Sequence, residues 1–148
     1  MKTNLNNRVA RLARCSLLAA FILLPALAYA HPHMFLTSRA EFVWEGPRLS
    51  GCWLDWTFDR FFSADLMSFD ANGDGAFNAS ETRKVYENAF IYLKNYYYFT
   101  FIRQGNNRWN PKGVSGFSVR QTDGRVTYRF FIDLSGATPG EISLAVYD

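Results

Sequence analysis

Twelve consecutive residues, Asp70-Ala71-Asn72-Gly73-Asp74-Gly75-Ala76-Phe77-Asn78-Ala79-Ser80-Glu81, fit the pattern D-x-[DN]-x-[DN]-G-x5-E at every specified position. Calcium is a hard cation that takes six to eight oxygens, and a loop of this length wraps one when ligands fall at positions 1, 3, 5, 7, 9 and 12. Those positions are Asp70, Asn72 and Asp74 by side chain, Ala76 by its carbonyl, Asn78 directly or through water, and Glu81 with both oxygens. Gly75 stands where the loop must turn sharply. Phe77, at position eight, is expected to point toward the core. Three carboxylates in a single hand favour a weak site, with Kd on the order of 10⁻⁵ to 10⁻³ M, suited to clamping a fold outside the cytoplasm rather than to signalling. The competing reading is a plain solvated Asp/Asn/Gly loop.

The chain's two histidines, His31 and His33, flank Pro32 directly after Ala28-Tyr29-Ala30. A basic stretch with Lys2, Arg8, Arg11 and Arg14, a short apolar run and an A-x-A site predict a secretory signal peptide over residues 1–30. Cleavage after Ala30 would make His31 the first residue, so its α-amine and imidazole could chelate one ion while His33 adds a third nitrogen. Pro32 has no amide hydrogen, which excludes the square-planar mode through a deprotonated amide. The remaining donors suit Zn2+, Ni2+, Co2+ or Cu2+. Two exposed histidines with no specific role are the competing reading, and the lack of a distant third histidine argues against a copper oxygenase.

Other constellations fail. There is no glycine-rich phosphate loop, G-x-S-x-G, H-E-x-x-H or C-x-x-C, so no enzyme is expected. Asp55 and Asp59 bracket Trp56-Thr57-Phe58 and are expected to cap or to be solvated rather than to pair as acids. Tyr96, Tyr97 and Tyr98 are expected to pack in the core or on a sheet face. Loss of the leader removes four of the 16 Lys and Arg against 13 Asp and Glu, leaving a mature net charge of −1 and no case for a nucleic-acid partner. Cys15 leaves with the leader, and Cys52, then alone, is expected to be a buried small hydrophobe.

The elements that would position these residues follow from pattern. A hairpin is expected from His33 to Phe58, turning at "EGPR". Phe58, Phe62, Leu66 and Phe69 recur at helical spacing, with Ser63 as a candidate cap. After the loop, residues 80–96 read as one longer helix whose stripe is Val85, Ala89, Tyr92, Leu93 and Tyr96. The two helices make an EF-hand-like segment over residues 59–95. "YYYFTFIRQ" returns to strand composition, "GNNRWNPKG" reads as a loop, Asp123-Gly124 marks a hairpin, and "EISLAVYD" is a last strand. The expected fold is α+β: one antiparallel β-sheet of roughly five to six strands with an inserted EF-hand-like helix-loop-helix, forming a single domain over residues 31–148 that stops in mid-strand and is expected to be C-terminally incomplete.

The ordered set "HPH" after a leader, "WTFDRFFS", the D-x-N-x-D-G loop ending in Glu81, "YFTF" and "VYD" resembles the bacterial domain-of-unknown-function family one thousand and seven, over essentially all of 31–148. Its members are labelled periplasmic components of an uncharacterised ABC-type transport system. The resemblance implies an exported, periplasmic protein that handles a transition metal at His31 and His33, working beside a membrane metal permease, with the calcium-type loop carried onto Asp70, Asn72, Asp74 and Glu81. At this size the chain lacks the two lobes of an ordinary solute-binding protein. No membrane span is expected once the leader is removed. The alternative function is a calcium-stabilised envelope protein that presents aromatic surface to a partner and has no transition-metal role.

Overall fold

The computed structural model describes residues 34–147. Among the described residues seven strands form two antiparallel sheets, and two α-helices lie between the second and third of these strands. β1 (Leu36–Glu45) and β2 (Arg48–Phe58) make the expected hairpin, turning at Gly46-Pro47. β2 also pairs with β6 (Arg125–Asp133), which pairs with β5 (Ser115–Thr122), so the order is β1-β2-β6-β5. Asp123 and Gly124 both take positive φ, 51° and 72°, which matches the right-handed twist of the β5–β6 hairpin. The second sheet has the order β4-β3-β7, from β3 (Thr100–Gln104), β4 (Asn107–Trp109) and β7 (Ser143–Val146).

Period-two alternation divides β2 and β6 into two faces. Cys52, Leu54, Trp56 and Phe58 meet Val126, Tyr128, Phe130 and Ile132 on the buried face, where Leu66, Val85, Phe90 and Ile102 complete one core reached by both sheets. Phe90 is fully buried, with its ring 4.2 Å from Phe117, 5.1 Å from Phe130 and 5.7 Å from Tyr128. Cys52 is fully buried as expected, and burial pushes its thiol up to about 11.

Several expectations are corrected. There are two sheets rather than one, and the segment read as a loop after Gln104 contains β4, turned by Gly105-Asn106. α1 (Arg60–Leu66) is capped by Asp59, not Ser63, and a 3-10 turn, Met67–Phe69, follows it. Ser63 is instead fully buried, and its Oγ accepts the Val126 N–H at 2.8 Å. The long helix is two pieces. α2 (Ala79–Asn88) ends at Ala89, whose φ of −130° leaves the helical region, and a 3-10 segment runs over Phe90–Phe99.

That break rotates the apolar stripe. Phe90 enters the core, while Tyr92 and Tyr96 are 59% and 60% exposed. Tyr97, Tyr98 and Phe99 all take positive φ, between 44° and 53°, in the corner that leads into β3. Of the three tyrosines only Tyr98 is buried; Tyr96 stacks on Phe99 with ring centres 5.5 Å apart while staying largely exposed, and Tyr97 is exposed.

Candidate metal centre

The loop is delivered by a short, firmly started helix. The Asp59 carboxylate accepts the N–H groups of Phe61 at 2.7 Å and Phe62 at 3.0 Å, and its other oxygen accepts the Phe35 N–H at 2.9 Å. These bonds, led by Phe62 and then Phe35, hold its carboxyl below the usual aspartate value. Asp59 thus ties the start of β1 to the start of α1. Leu66 anchors the helix in the core, and the 3-10 turn brings the chain to Asp70.

From there the side-chain oxygens turn back on the loop's own backbone. Asp70 Oδ1 accepts from Gly73 N–H at 2.9 Å and Oδ2 from Gly75 N–H at 2.8 Å. Asn72 Oδ1 accepts from Asp74 N–H at 3.1 Å, its Nδ2 donates to Asp74 Oδ2 at 2.9 Å, and Asp74 Oδ1 accepts from Ala76 N–H at 2.9 Å. Gly75 has open space where a Cβ would stand, so its φ of +81° is what selects glycine. Phe77 packs against the core, in line with expectation.

Asn78 and Glu81 close the loop onto α2 through a reciprocal capping box. Asn78 Oδ1 accepts from Ser80 and Glu81 N–H, and Glu81 Oε2 accepts from Asn78 N–H at 2.9 Å. The second carboxylate oxygen, Oε1, accepts the Ala71 N–H at 3.0 Å, so one side chain bridges the two ends of the loop. Glu81 is only 3% exposed. A carboxylate this buried needs partners, and both of its oxygens have one.

Asp70, Asn72, Asp74, Ala76, Asn78 and Glu81 therefore lie on one turn between two helices. Their oxygens are engaged by N–H groups rather than converged on a point, and among the described residues no three His, Cys, Asp or Glu side chains form a group that could hold an ion. The donor chemistry still suits a hard cation: carboxylates, amides and a carbonyl, with no sulfur. The Asn78 side-chain oxygen is occupied as the cap of α2. His31 and His33 lie outside the described residues, as does the cleavage site expected before them.

A second polar cluster has no local sequence signal. On the face of the four-stranded sheet opposite the core, Arg129 Nη1 donates to Asp55 Oδ1 and Oδ2 at 3.1 and 3.0 Å, and Nη2 donates to Glu41 Oε2 at 3.0 Å. The guanidinium lies 4.7 Å from the centre of the Trp53 ring. Its pairing with Glu41, then Asp55, raises its already high pKa. Asp55 is 8% exposed, so it is neither solvated nor paired with Asp59. Arg129 is 74 residues away in the chain, beyond the reach of any spacing argument. Gly116 sits under Trp53, where a Cβ would come within 2.6 Å of the indole. Every charge in this cluster has a partner, which marks a structural network.

Among the described residues, no helix is long and apolar enough to cross a membrane. The chain is 36% identical over 81 residues to an uncharacterised 15.5 kDa protein in the trpE 3′ region of Spirochaeta aurantia, a match covering 55% of this chain and 58% of that relative. The matched stretch thus spans little more than half the length of that curated relative. No solved structure matches. The sequence model of a family described as a protein of unknown function, DUF1007, matches residues 16–148, and with nearly the whole chain covered the protein belongs to that family.

Proposed function

We propose that this protein is an exported, periplasmic metal-binding accessory protein: it binds calcium through an EF-hand-like loop over Asp70–Glu81 and handles a transition metal at a mature terminus beginning at His31. It binds rather than catalyses, and its partner is a membrane metal permease. The observation that carries the calcium reading is the buried Glu81 carboxylate. It is held at the twelfth position of the loop, within hydrogen-bond reach of the residue after Asp70. Calcium would take Asp70, Asn72, Asp74, the Ala76 carbonyl and both Glu81 oxygens, with Asn78 contributing through water. The ion would supply positive charge to a loop that otherwise offsets its carboxylates with backbone N–H groups and the Asn72 side-chain amide.

Titration calorimetry of the metal-free protein with calcium tests this first half. Binding of one ion, lost in Glu81→Gln, is the expected result, and no heat at millimolar calcium overturns it. Mass spectrometry of the exported protein tests the second half by locating the mature terminus. Titrations with Zn2+, Ni2+, Co2+ and Cu2+ should then show weaker binding when one residue is added before His31, and equal affinities would remove the chelating terminus.

The alternative, a calcium-stabilised envelope interaction protein, is favoured by the exposed rings of Tyr92, Tyr96 and Tyr97 on one segment. It predicts the same calcium response with no transition-metal binding.

A further inference from the structure

The outer face of the small sheet carries a charge arrangement that the fold does not need. Arg103 on β3 and Arg108 on β4 are direct partners across the antiparallel pair, and Ser143 of β7 extends the same row on the other side. Like charges placed directly opposite each other destabilise a sheet. Both arginines are exposed, and among the described residues neither forms a salt bridge or a side-chain hydrogen bond. This contrasts with Arg129, whose guanidinium is fully paired within the same molecule.

The next row is aromatic. Phe101 lies two residues before Arg103 on the same face, and Tyr147 stacks on it with ring centres 4.2 Å apart and planes 13° from parallel. Ala145 is the partner of Phe101 on β7, so a small side chain borders the stack. Tyr147 remains 56% exposed, which leaves ring surface free beside the guanidinium row. Between them runs an open groove of about 550 Å³, whose wall includes Trp109 and, among the described residues, contains no acidic one. Glu141 lines a neighbouring cleft that Arg103 also borders, and it makes no ion pair with Arg103.

We propose that this groove binds a small aromatic anion: a flat ring bearing a carboxylate or a phosphate. The anionic head sits between the two guanidiniums, and the ring lies against the Phe101–Tyr147 stack. The charge argument fixes the sign of the ligand, since the anion relieves a repulsion that the apoprotein otherwise carries. The stack fixes its shape, since a flat ring gains most from offset or edge contact with other rings. The groove's volume falls within the range of small-molecule sites, and its shallow form suits weak binding. This proposal rests on residues separate from the calcium loop and stands or falls independently of it.

The test follows the indole N–H resonance of Trp109, assigned with Trp109→Phe, in the otherwise intact protein. Phenyl phosphate and benzoate are the probes, and inorganic phosphate and cyclohexanecarboxylate are the controls. Saturable shifts are expected with both probes, and their relative affinities distinguish a phosphate from a carboxylate ligand. Each control should bind about tenfold more weakly, a difference of about 1.4 kcal/mol. Arg103→Gln and Arg108→Gln should each weaken probe binding at least about fivefold while leaving the melting temperature unchanged or raised, because the repulsion is gone. No saturable shift, equal binding of ring and ringless anions, or arginine variants that bind as well as the parent would each overturn the proposal. A Trp109 shift that follows protein concentration without probe would do so too, because it would give the face to a second copy of the chain.

Discussion

Replacing Glu81 by Gln separates the hydrogen-bonding role that its carboxylate holds in this structure from the calcium-binding role proposed for it. Its oxygens accept N–H groups from Ala71 and Asn78, at opposite ends of the loop, and the side chain is almost wholly buried. Glutamine keeps one acceptor oxygen but turns an NH2 group toward the other N–H, donor facing donor. Losing one charge-assisted bond and stranding its buried partner costs about 2 to 3 kcal/mol. For a domain of this length each kcal/mol moves Tm by about 4 °C, so the metal-free variant should melt about 8 to 12 °C below the parent. The proposed calcium binding predicts a second, separable effect. At about a hundredfold excess over Kd it stabilises the parent by about 2.7 kcal/mol, or about 11 °C, and the variant should gain almost nothing.

Calorimetric melts in chelator and in calcium read both effects. Asn78→Ala is the control: it removes the cap and lowers Tm through about 1 kcal/mol, yet it should keep most of the calcium rise, because Asn78 acts at most through water. If Glu81→Gln in chelator melts within about 2 °C of the parent, the two N–H contacts contribute little net stability and the latch argument is wrong. If the variant keeps the full calcium rise, the ion binds elsewhere and the loop is not its site.

Four further outcomes follow from the geometry. The Tyr128 hydroxyl is buried without a hydrogen-bond partner among the described residues, so Tyr128→Phe should leave Tm unchanged or raise it through about 1 kcal/mol, and a fall of that size would reveal a missing partner. Ser63→Ala strands the Val126 N–H in the core and should cost about 1 to 3 kcal/mol in urea unfolding, with an unchanged midpoint as the contrary result. The folded Asp59 carboxyl is held below its unfolded value of 3.8, so its contribution is present above that pH and fades as pH falls through the folded value. Asp59→Asn should therefore melt lower than the parent at neutral pH, with the gap closing below pH 3.8, and a pH-independent gap would refute the assignment. Cys52, fully buried with its thiol pushed to about 11, should resist a thiol reagent in the native protein and react promptly in denaturant; native labelling at a free-thiol rate would contradict its burial.

Local signals were legible where the physics is local. Asp123-Gly124 and Gly46-Pro47 marked hairpins because those residues supply the torsions that tight turns require. Gly105-Asn106 carried a similar signal, yet the polar residues around it read as a loop and hid β4. The capping misreading at Ser63 has a clear cause. Asp59 and Ser63 are both good capping residues, and only the position of Val126, far along the chain, recruits the serine into the core. The helix break was not legible, because aromatic residues fit either period and the choice of Phe90 over Tyr92 for the core depends on rings from β5 and β6. At the loop, the motif specified which oxygens are present. The joining of its two ends through one buried carboxylate emerges only when both helices are in place.

The three left-handed residues at Tyr97, Tyr98 and Phe99 bear on how the chain reaches its fold. L-residues there sit about 1 to 2 kcal/mol above a right-handed alternative, so local preference favours carrying the helical segment onward past the corner. Burial of Tyr98 and pairing of β3 with β7, more than forty residues along the chain, hold the corner in place. Local and long-range preferences conflict at this one joint, which makes it a place to settle late, after the β2–β6 core has formed. Substitutions that relieve its strain should then slow unfolding far more than they speed folding, so the lifetime of the native protein, rather than its rate of assembly, responds to this corner.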